Sequence, residues 1–305
     1  MHTFNNSLKI IIILSFLLIN LLLLSTERIW PQASKIELDS ASVFYESGRQ
    51  IHAITFNHNG LMFVGGKLDI FTISPDKSFK HFLTLKESSP NTIIWSMVFG
   101  SDANLFIAAN DRIVKVSPDG KQQVIIREDF PGPCGATDLR FDKQGNLYVV
   151  YDNIIARYDS SFKKTIFIDG TKFSTPIRWA VGIEISSDEQ YLYIGDCGGN
   201  NAYIVPIAAE DFYKNAKTYP TRMGQYFARD TFGNIYMTSM GGLGNTPEFK
   251  MFNDNLNSAD IHCKRRPPQD ETNYKKTITF GEETFDSNAI YCIIGSKIYS
   301  YHLKK

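Results

Sequence analysis

One phrase recurs six times between residues 54 and 295, and it constrains the fold of this 305-residue chain more than any other feature. An alternating apolar strand is followed by a polar turn, often ending in Gly-Asn, and then by an apolar strand carrying an aromatic residue. The phrase reads ITFNHNGLMFVGG (54–66), MVFGSDANLFIAA (97–109), LRFDKQGNLYVVY (139–151), IEISSDEQYLYIGD (183–196), YFARDTFGNIYMTS (226–239) and ETFDSNAIYCIIG (283–295). The aligned aromatics are Phe63, Phe106, Tyr148, Tyr193, Tyr236 and Tyr291, spaced 43, 42, 45, 43 and 55 residues apart. A third apolar stretch follows each aromatic (DIFTIS, RIVKVS, IIARYD, AYIVPI, EFKMF, KIYSYHL), and several repeats carry a fourth, such as FKHFLTL, QQVIIRE and KTIFID. Period-two alternation and enrichment in Ile, Val, Phe and Tyr make these strands. Four strands at a period of 40–45 residues are the spacing of a β-propeller blade.

The ends of the chain agree. Six blades of about 43 residues account for the stretch from residue 50 to Lys305. The last repeat stops after its third strand, while an unassigned apolar stretch, IELDSASVFY (36–45), precedes the first. Pairing the two leaves no open edge. The expectation is an all-β fold over residues 34–305: a six-bladed β-propeller of four-stranded antiparallel blades, closed by an N-terminal strand that completes the last blade.

Residues 1–33 stand apart. Ile10–Leu24 is almost wholly apolar after an n-region whose one firm positive charge is Lys9. Fifteen residues suit a signal-peptide core and fall short of the roughly 20 that span a bilayer. Pro31 sits where a cleavage site wants a small residue. The segment is thus a cleaved signal peptide, an uncleaved membrane anchor or a buried core helix, and the first two place the propeller outside the cytoplasm, secreted, periplasmic or tethered. Cys134, Cys197, Cys263 and Cys292 match no zinc spacing, and four cysteines allow three disulfide connectivities. The chain has 32 Lys and Arg against 32 Asp and Glu. A neutral protein is a poor partner for nucleic acid, which demands a basic excess.

The phrase LRFDKQGNLYVVYDNIIARYD and its echoes resemble the six-bladed propellers of the senescence-marker/gluconolactonase family, and the related NHL-repeat and strictosidine-synthase-like propellers, over residues 36–305. The resemblance implies a divalent metal, usually calcium, at one mouth of the central channel, where it polarises a lactone or ester carbonyl and activates water. The implied ligands are a Glu, several Asn and an Asp at the starts of the innermost strands, 11 or 12 residues before the aligned aromatic. Those positions hold His52, Trp95, Thr137, Val181, Gln225 and Phe280. None is a carboxylate, whereas calcium takes six to eight oxygen ligands. Asp138, beside Thr137, faces inward only if the register shifts by one. The metal-dependent hydrolase therefore stands second here, with calcium as its cofactor. The first expectation needs no cofactor and no catalytic residue.

Other residues suggest recognition instead. Arg178 in Pro-Ile-Arg-Trp and Arg222 in Pro-Thr-Arg-Met occupy equivalent loops 44 residues apart. Two guanidinium forks at one mouth would clamp a carboxylate or phosphate, with Trp95, Trp179 and His52 as aromatic walls. The alternative is that both arginines are solvated loop residues. Asp196-Cys197-Gly198-Gly199-Asn200-Asn201 reads as a hairpin turn or a ligand cradle, Asp142 and Asp188 as caps of their own turns, and 253–276 as a polar insertion that is a mobile loop, folds over the mouth or binds a partner. The ligand-binding candidates are thus His52, Trp95, Thr137, Asp138, Arg178, Trp179, Arg222 and Gln225. The expected function is binding of a small anionic molecule or a protein partner at the channel mouth, by a monomer that touches membrane only through its N-terminal segment.

Overall fold

The computed structural model describes residues 37–38, 42–86, 92–128, 130–132, 134–221, 226–240, 247–252, 258–263, 278–280, 289–294 and 296–303. The apolar segment 10–24 lies outside them, and among the described residues no helix is long and apolar enough to cross a membrane. With strands numbered in chain order, the described strands form six sheets. The first holds β3 (Ala53–Phe56), β4 (Met62–Gly65), β5 (Asp69–Ile73) and β6 (Phe79–Thr84). The second holds β7 (Ile94–Phe99), β8 (Leu105–Ala109), β9 (Arg112–Val116) and β10 (Gln122–Arg127). The third holds β11 (Ala136–Phe141), β12 (Leu147–Tyr151), β13 (Ile154–Tyr158) and β14 (Lys164–Asp169). In the fourth, β15 (Ala180–Ile185), β16 (Tyr191–Asp196) and β17 (Asn201–Pro206) lead through a single-turn helix, α1 (Phe212–Asn215), to β18 (Lys217–Pro220).

The fifth sheet runs β19 (Tyr226–Arg229), β20 (Ile235–Met240), β21 (Pro247–Phe252), β22 (Ser258–Cys263). The sixth runs β23 (Ile278–Phe280), β24 (Ala289–Ile294), β25 (Lys297–His302), with β2 (Ser42–Glu46) as its outermost strand. The innermost strands contact each other in a closed cycle, β3 to β7, β11, β15, β19, β23 and back to β3. This is a β-propeller, as the repeat predicts.

Burial explains the sequence pattern. Second strands such as β8 and β12 are buried along their whole length because each lies between two neighbouring sheets, so they read as unbroken apolar runs. Outermost strands such as β10 and β14 face solvent along much of theirs and read as mixed sequence. The aligned aromatics are all buried and mostly act between blades. Phe63 packs edge-on against Phe99 of the next sheet at 5.0 Å, and Phe106 against Phe141 at 4.8 Å. Tyr193 meets Phe227 at 6.2 Å, and Tyr291 meets Phe56 at 5.9 Å, which closes the ring. Edge-to-face geometry suits the ring quadrupoles.

Backbone hydrogen bonds repeat the same linkage. The first amide of an inner strand donates to a carbonyl of the preceding blade: Ile94 to Lys67, Ala136 to Asn110 and Ala180 to Asp152. Gly135 makes the second of these possible. It sits at a positive φ of 64°, and a Cβ there would lie 1.8 Å from the Asn110 carbonyl oxygen. The turns after the inner strands are closed by their own side chains: the Asp142 carboxylate accepts from the Asn146 amide (2.8 Å) and Asp188 from the Gln190 amide (3.0 Å), as predicted.

The closure is more elaborate than the sequence suggests. β2 pairs antiparallel with β25, supplying the missing fourth strand of the last blade. β1 (Glu37–Leu38) pairs parallel with β22 in the fifth sheet. The N-terminal segment therefore straps two neighbouring blades. Two boundaries also move. In the last blade the paired inner strand is Ile278–Phe280 rather than the Glu283–Phe285 stretch that the repeat aligns, with Phe280 opposite Ile290. The residues between the two strands, 281–288, lie outside the described residues. Residues 258–263 of the expected insertion form the outer strand β22. The rest of 253–276 lies outside the described residues.

Candidate functional site

The upper face, where the inner strands begin, carries most of the residues singled out above. Each inner strand of the second, third and fourth blades starts with a register break: between Ile94 and Ser96, Ala136 and Asp138, and Ala180 and Gly182. The intervening residues Trp95, Thr137 and Val181 stand at these irregularities. An extra residue in one strand of a pair reverses the alternation beyond it. Counting back from the aromatic therefore lands on the irregular residue, and the inward position is the next one.

Asp138 accordingly lines the channel. So do Ser96, Glu184, Tyr226, Arg229 and Thr279, around a cavity of about 300 Å³ that draws on the innermost strands of all six sheets. At its centre is a guanidinium. Arg140 donates from Nε to Glu184 Oε2 at 3.0 Å, from Nη1 to Asp138 Oδ1 at 2.9 Å and to the Leu139 carbonyl at 2.6 Å, and from Nη2 to the Phe227 carbonyl at 3.2 Å. Asp138 Oδ1 also accepts from Ser96 Oγ at 2.7 Å, and Oδ2 from the Ile183 amide at 3.0 Å. Glu184 Oε1 accepts from the Ile185 amide at 3.1 Å. The network joins the second, third, fourth and fifth blades. Burial pushes the Arg140 pKa down, but the charges of Asp138 and Glu184 outweigh it, and the guanidinium is held even more firmly charged than usual.

Calcium does not fit here. Every carboxylate oxygen of Asp138 and Glu184 already accepts a hydrogen bond, and Arg140 supplies the positive charge that a cation would bring. A hard cation needs six to eight oxygens, including carboxylates free to turn toward it. Among the described residues no three His, Cys, Asp or Glu side chains converge on one point.

A second, larger cavity of about 510 Å³ opens off the upper face over the first blade. Its lining joins the approach to β3 (Arg49, Gln50, His52), the β4–β5 turn (Gly66, Lys67) and the start of β7 (Ile93, Trp95). His52 and Trp95, two of the predicted candidates, meet here with ring centroids 5.8 Å apart. Gly66 keeps the floor tight, since a Cβ there would lie 2.9 Å from the Gln50 carbonyl oxygen. Arg49 and Lys67 are exposed at this cavity. Asp69 is the acid among them, and it is engaged by Thr84 Oγ1 at 2.6 Å, by His81 Nε2 at 3.5 Å and by Arg49 at 3.6 Å.

The remaining candidates serve other contacts. The Thr137 hydroxyl is buried and lies 3.3 Å from the Val150 carbonyl and 3.4 Å from that of Ala180, linking the third blade to the fourth. Arg178 is exposed and Trp179 half-buried. Their backbone amides donate to Asp196 Oδ1 at 3.2 and 2.9 Å, as does the Gly199 amide at 2.9 Å. Asp196 is thus the cap of the 196–201 hairpin turn, and neither Arg178 nor Trp179 lines either of these two cavities. Arg222 and Gln225 lie outside the described residues. Arg140, Glu184, Arg49 and Lys67 were not among the candidates. Arg140 and Glu184 had a signal, as ionisable residues at alternate positions of inner strands, in TDLRF and VGIEI.

Several surface aspartates have lowered pKa values. The Ser117 hydroxyl beside Asp119, the Ser161 hydroxyl beside Asp159 (2.7 Å) and the Thr171 hydroxyl beside Asp169 (2.6 Å) hold these carboxyls below their usual 3.8. Groups with depressed folded pKa values stabilise the protein above the unfolded value, and that contribution is lost as pH falls through the folded value. Thermal melts across pH should show Tm falling steeply only below about pH 4. A steep decline already between pH 7 and 5 would mean that other groups set the limit.

The fold and channel define the chain as a β-propeller. Solved structures of this architecture include virginiamycin B lyase from Staphylococcus aureus (14% identity, 88% of this chain and 100% of that one, TM-score 0.59). They also include a gluconolactonase from Xanthomonas campestris (12%, 87% and 89%, 0.64) and the calcium-binding protein regucalcin from Agrobacterium tumefaciens (14%, 84% and 91%, 0.60). At these identities the likeness is one of fold. No protein-family model and no curated protein matches the sequence.

Proposed function

We propose that this propeller is a recognition module, exported or membrane-anchored through residues 1–33, that binds a small anionic ligand or a protein partner at its upper face without metal-dependent hydrolysis. One observation carries the proposal: the 510 Å³ cavity that brings His52 and Trp95 together beside the exposed cations Arg49 and Lys67. Its size falls within the range of small-molecule sites. The channel argues in the same direction, because the carboxylates that would serve a metal are occupied by Arg140. The test is a panel of lactones and aryl and alkyl esters assayed with the full chain in millimolar calcium, magnesium or zinc. The expected outcome is no hydrolysis above background. Turnover that depends on one of the metals and disappears in Asp138→Asn would replace recognition with catalysis.

A further inference from the structure

We infer that the cavity over the first blade takes an anion carried on a flat aromatic ring, such as an aryl carboxylate, sulfonate or phosphate. The inference rests on the recognition proposal and narrows it to a ligand class. Two groups of aromatic rings line this space. On the blade side, Phe71 and Phe79 stack at 4.5 Å and 20°, and behind this wall Tyr45 of β2 stacks on Phe79 at 5.0 Å and 12°. Toward the channel stand His52 and Trp95. Buried Ile51 and Val64 complete an apolar floor. Flat apolar walls favour a planar ring over a branched chain, because ring faces and edges keep contact along their whole length.

Charge selects the rest of the ligand. Arg49 and Lys67 face the single carboxylate of Asp69, which leaves the cavity one positive charge in excess while its histidine is neutral. Arg49 is already oriented, with its guanidinium 5.8 Å from the Phe71 ring centroid and 3.6 Å from Asp69. Lys67 makes no ion pair among the described residues and is exposed, so its ammonium is available to an incoming anion. A neutral aromatic would leave that charge unused, and an aliphatic acid would leave the walls unfilled. The site also depends on ring closure through its wall, since Tyr45 of the closing strand β2 backs Phe79.

Calorimetric titration of the full chain with 2-naphthoate, octanoate and 2-naphthalenemethanol tests the ligand class directly. The expected result is saturable binding of 2-naphthoate at least about tenfold tighter than either other probe, with a comparable loss in both Lys67→Met and Trp95→Phe. Lys67 is exposed, so its substitution should leave the melting temperature unchanged and report on the site alone. Equal binding of octanoate would overturn the aromatic part, and equal binding of 2-naphthalenemethanol the anionic part. Unchanged 2-naphthoate affinity in both variants, or no saturable binding of any probe, would overturn the site. None of these outcomes involves hydrolysis, so each is separate from the ester-panel result that decides between recognition and catalysis.

Discussion

Arg140→Met should cost the propeller about 3–5 kcal/mol, the range for removing one partner of a buried ion pair. The side chains of Asp138 and Glu184 are only 6% and 9% exposed, so neither can recover its hydration when the guanidinium is gone. The loss should appear as a lower urea midpoint with little change in slope. It should also depend on pH in a defined direction. Two buried carboxylates without a counter-charge have folded pKa values above their unfolded ones, so they destabilise at neutral pH and the penalty shrinks as acid protonates them. The gap between variant and parent should therefore narrow from pH 7 to pH 5. Replacing all three residues together, as Arg140→Met with Asp138→Leu and Glu184→Leu, should cost far less than the single change, because the whole network is removed rather than broken. A single substitution costing under about 1 kcal/mol would show that water already screens the network.

The second large effect lies at the seam where the ring closes. Tyr291 is 3% exposed, packs edge-on against Phe56 of the first blade at 5.9 Å and against Phe44 of β2 at 5.2 Å. Truncation to alanine removes both contacts and leaves a cavity between the last blade, the first blade and the closing strand. The expected loss is about 3–5 kcal/mol, as for other large buried aromatics. Tyr291→Phe should retain most of the stability because the ring contacts survive. Limited proteolysis should locate the damage: in the alanine variant, cleavage near β2 should appear well before cleavage within the second to fourth blades. Equal susceptibility throughout would mean that the ring unfolds as a unit and that no seam exists.

The fold was legible because each blade repeats one physical problem. Second strands are buried on both faces and therefore spell apolar runs, inner strands alternate between core and channel, and the aligned aromatic serves the same inter-blade contact in at least four of its six occurrences. The last blade broke the alignment because more residues separate its inner and second strands in the sequence than in the other blades, so the paired strand Ile278–Phe280 precedes the stretch that the repeat selects. The pairing of β1 with β22 was illegible for a different reason. A two-residue parallel bridge leaves no periodicity to read.

The candidate site was legible only in part. His52 and Trp95 were found from the repeat and do meet in one cavity. Arg49 and Lys67 were missed because they sit in the approach to β3 and in the β4–β5 turn, positions with no counterpart in the motif. The channel was obscured by the register break at Trp95, Thr137 and Val181, which shifts the inward face by one residue. Asp138 and Arg140 both lie beyond that break, two residues apart on one face of β11, so their pairing follows from strand alternation once Asp138 is placed inward. This explains why the inner-strand positions read from the sequence hold no carboxylate while the channel itself holds two.

Arg140 occupies the place of a cation in the channel, and the melting temperature of the full chain in chelator against millimolar calcium tests that most directly. A ligand that binds the native state must raise Tm. The expected result is agreement within about 1 °C between the two conditions. A rise of several degrees that disappears in Asp138→Asn would place a metal in the channel and contradict it.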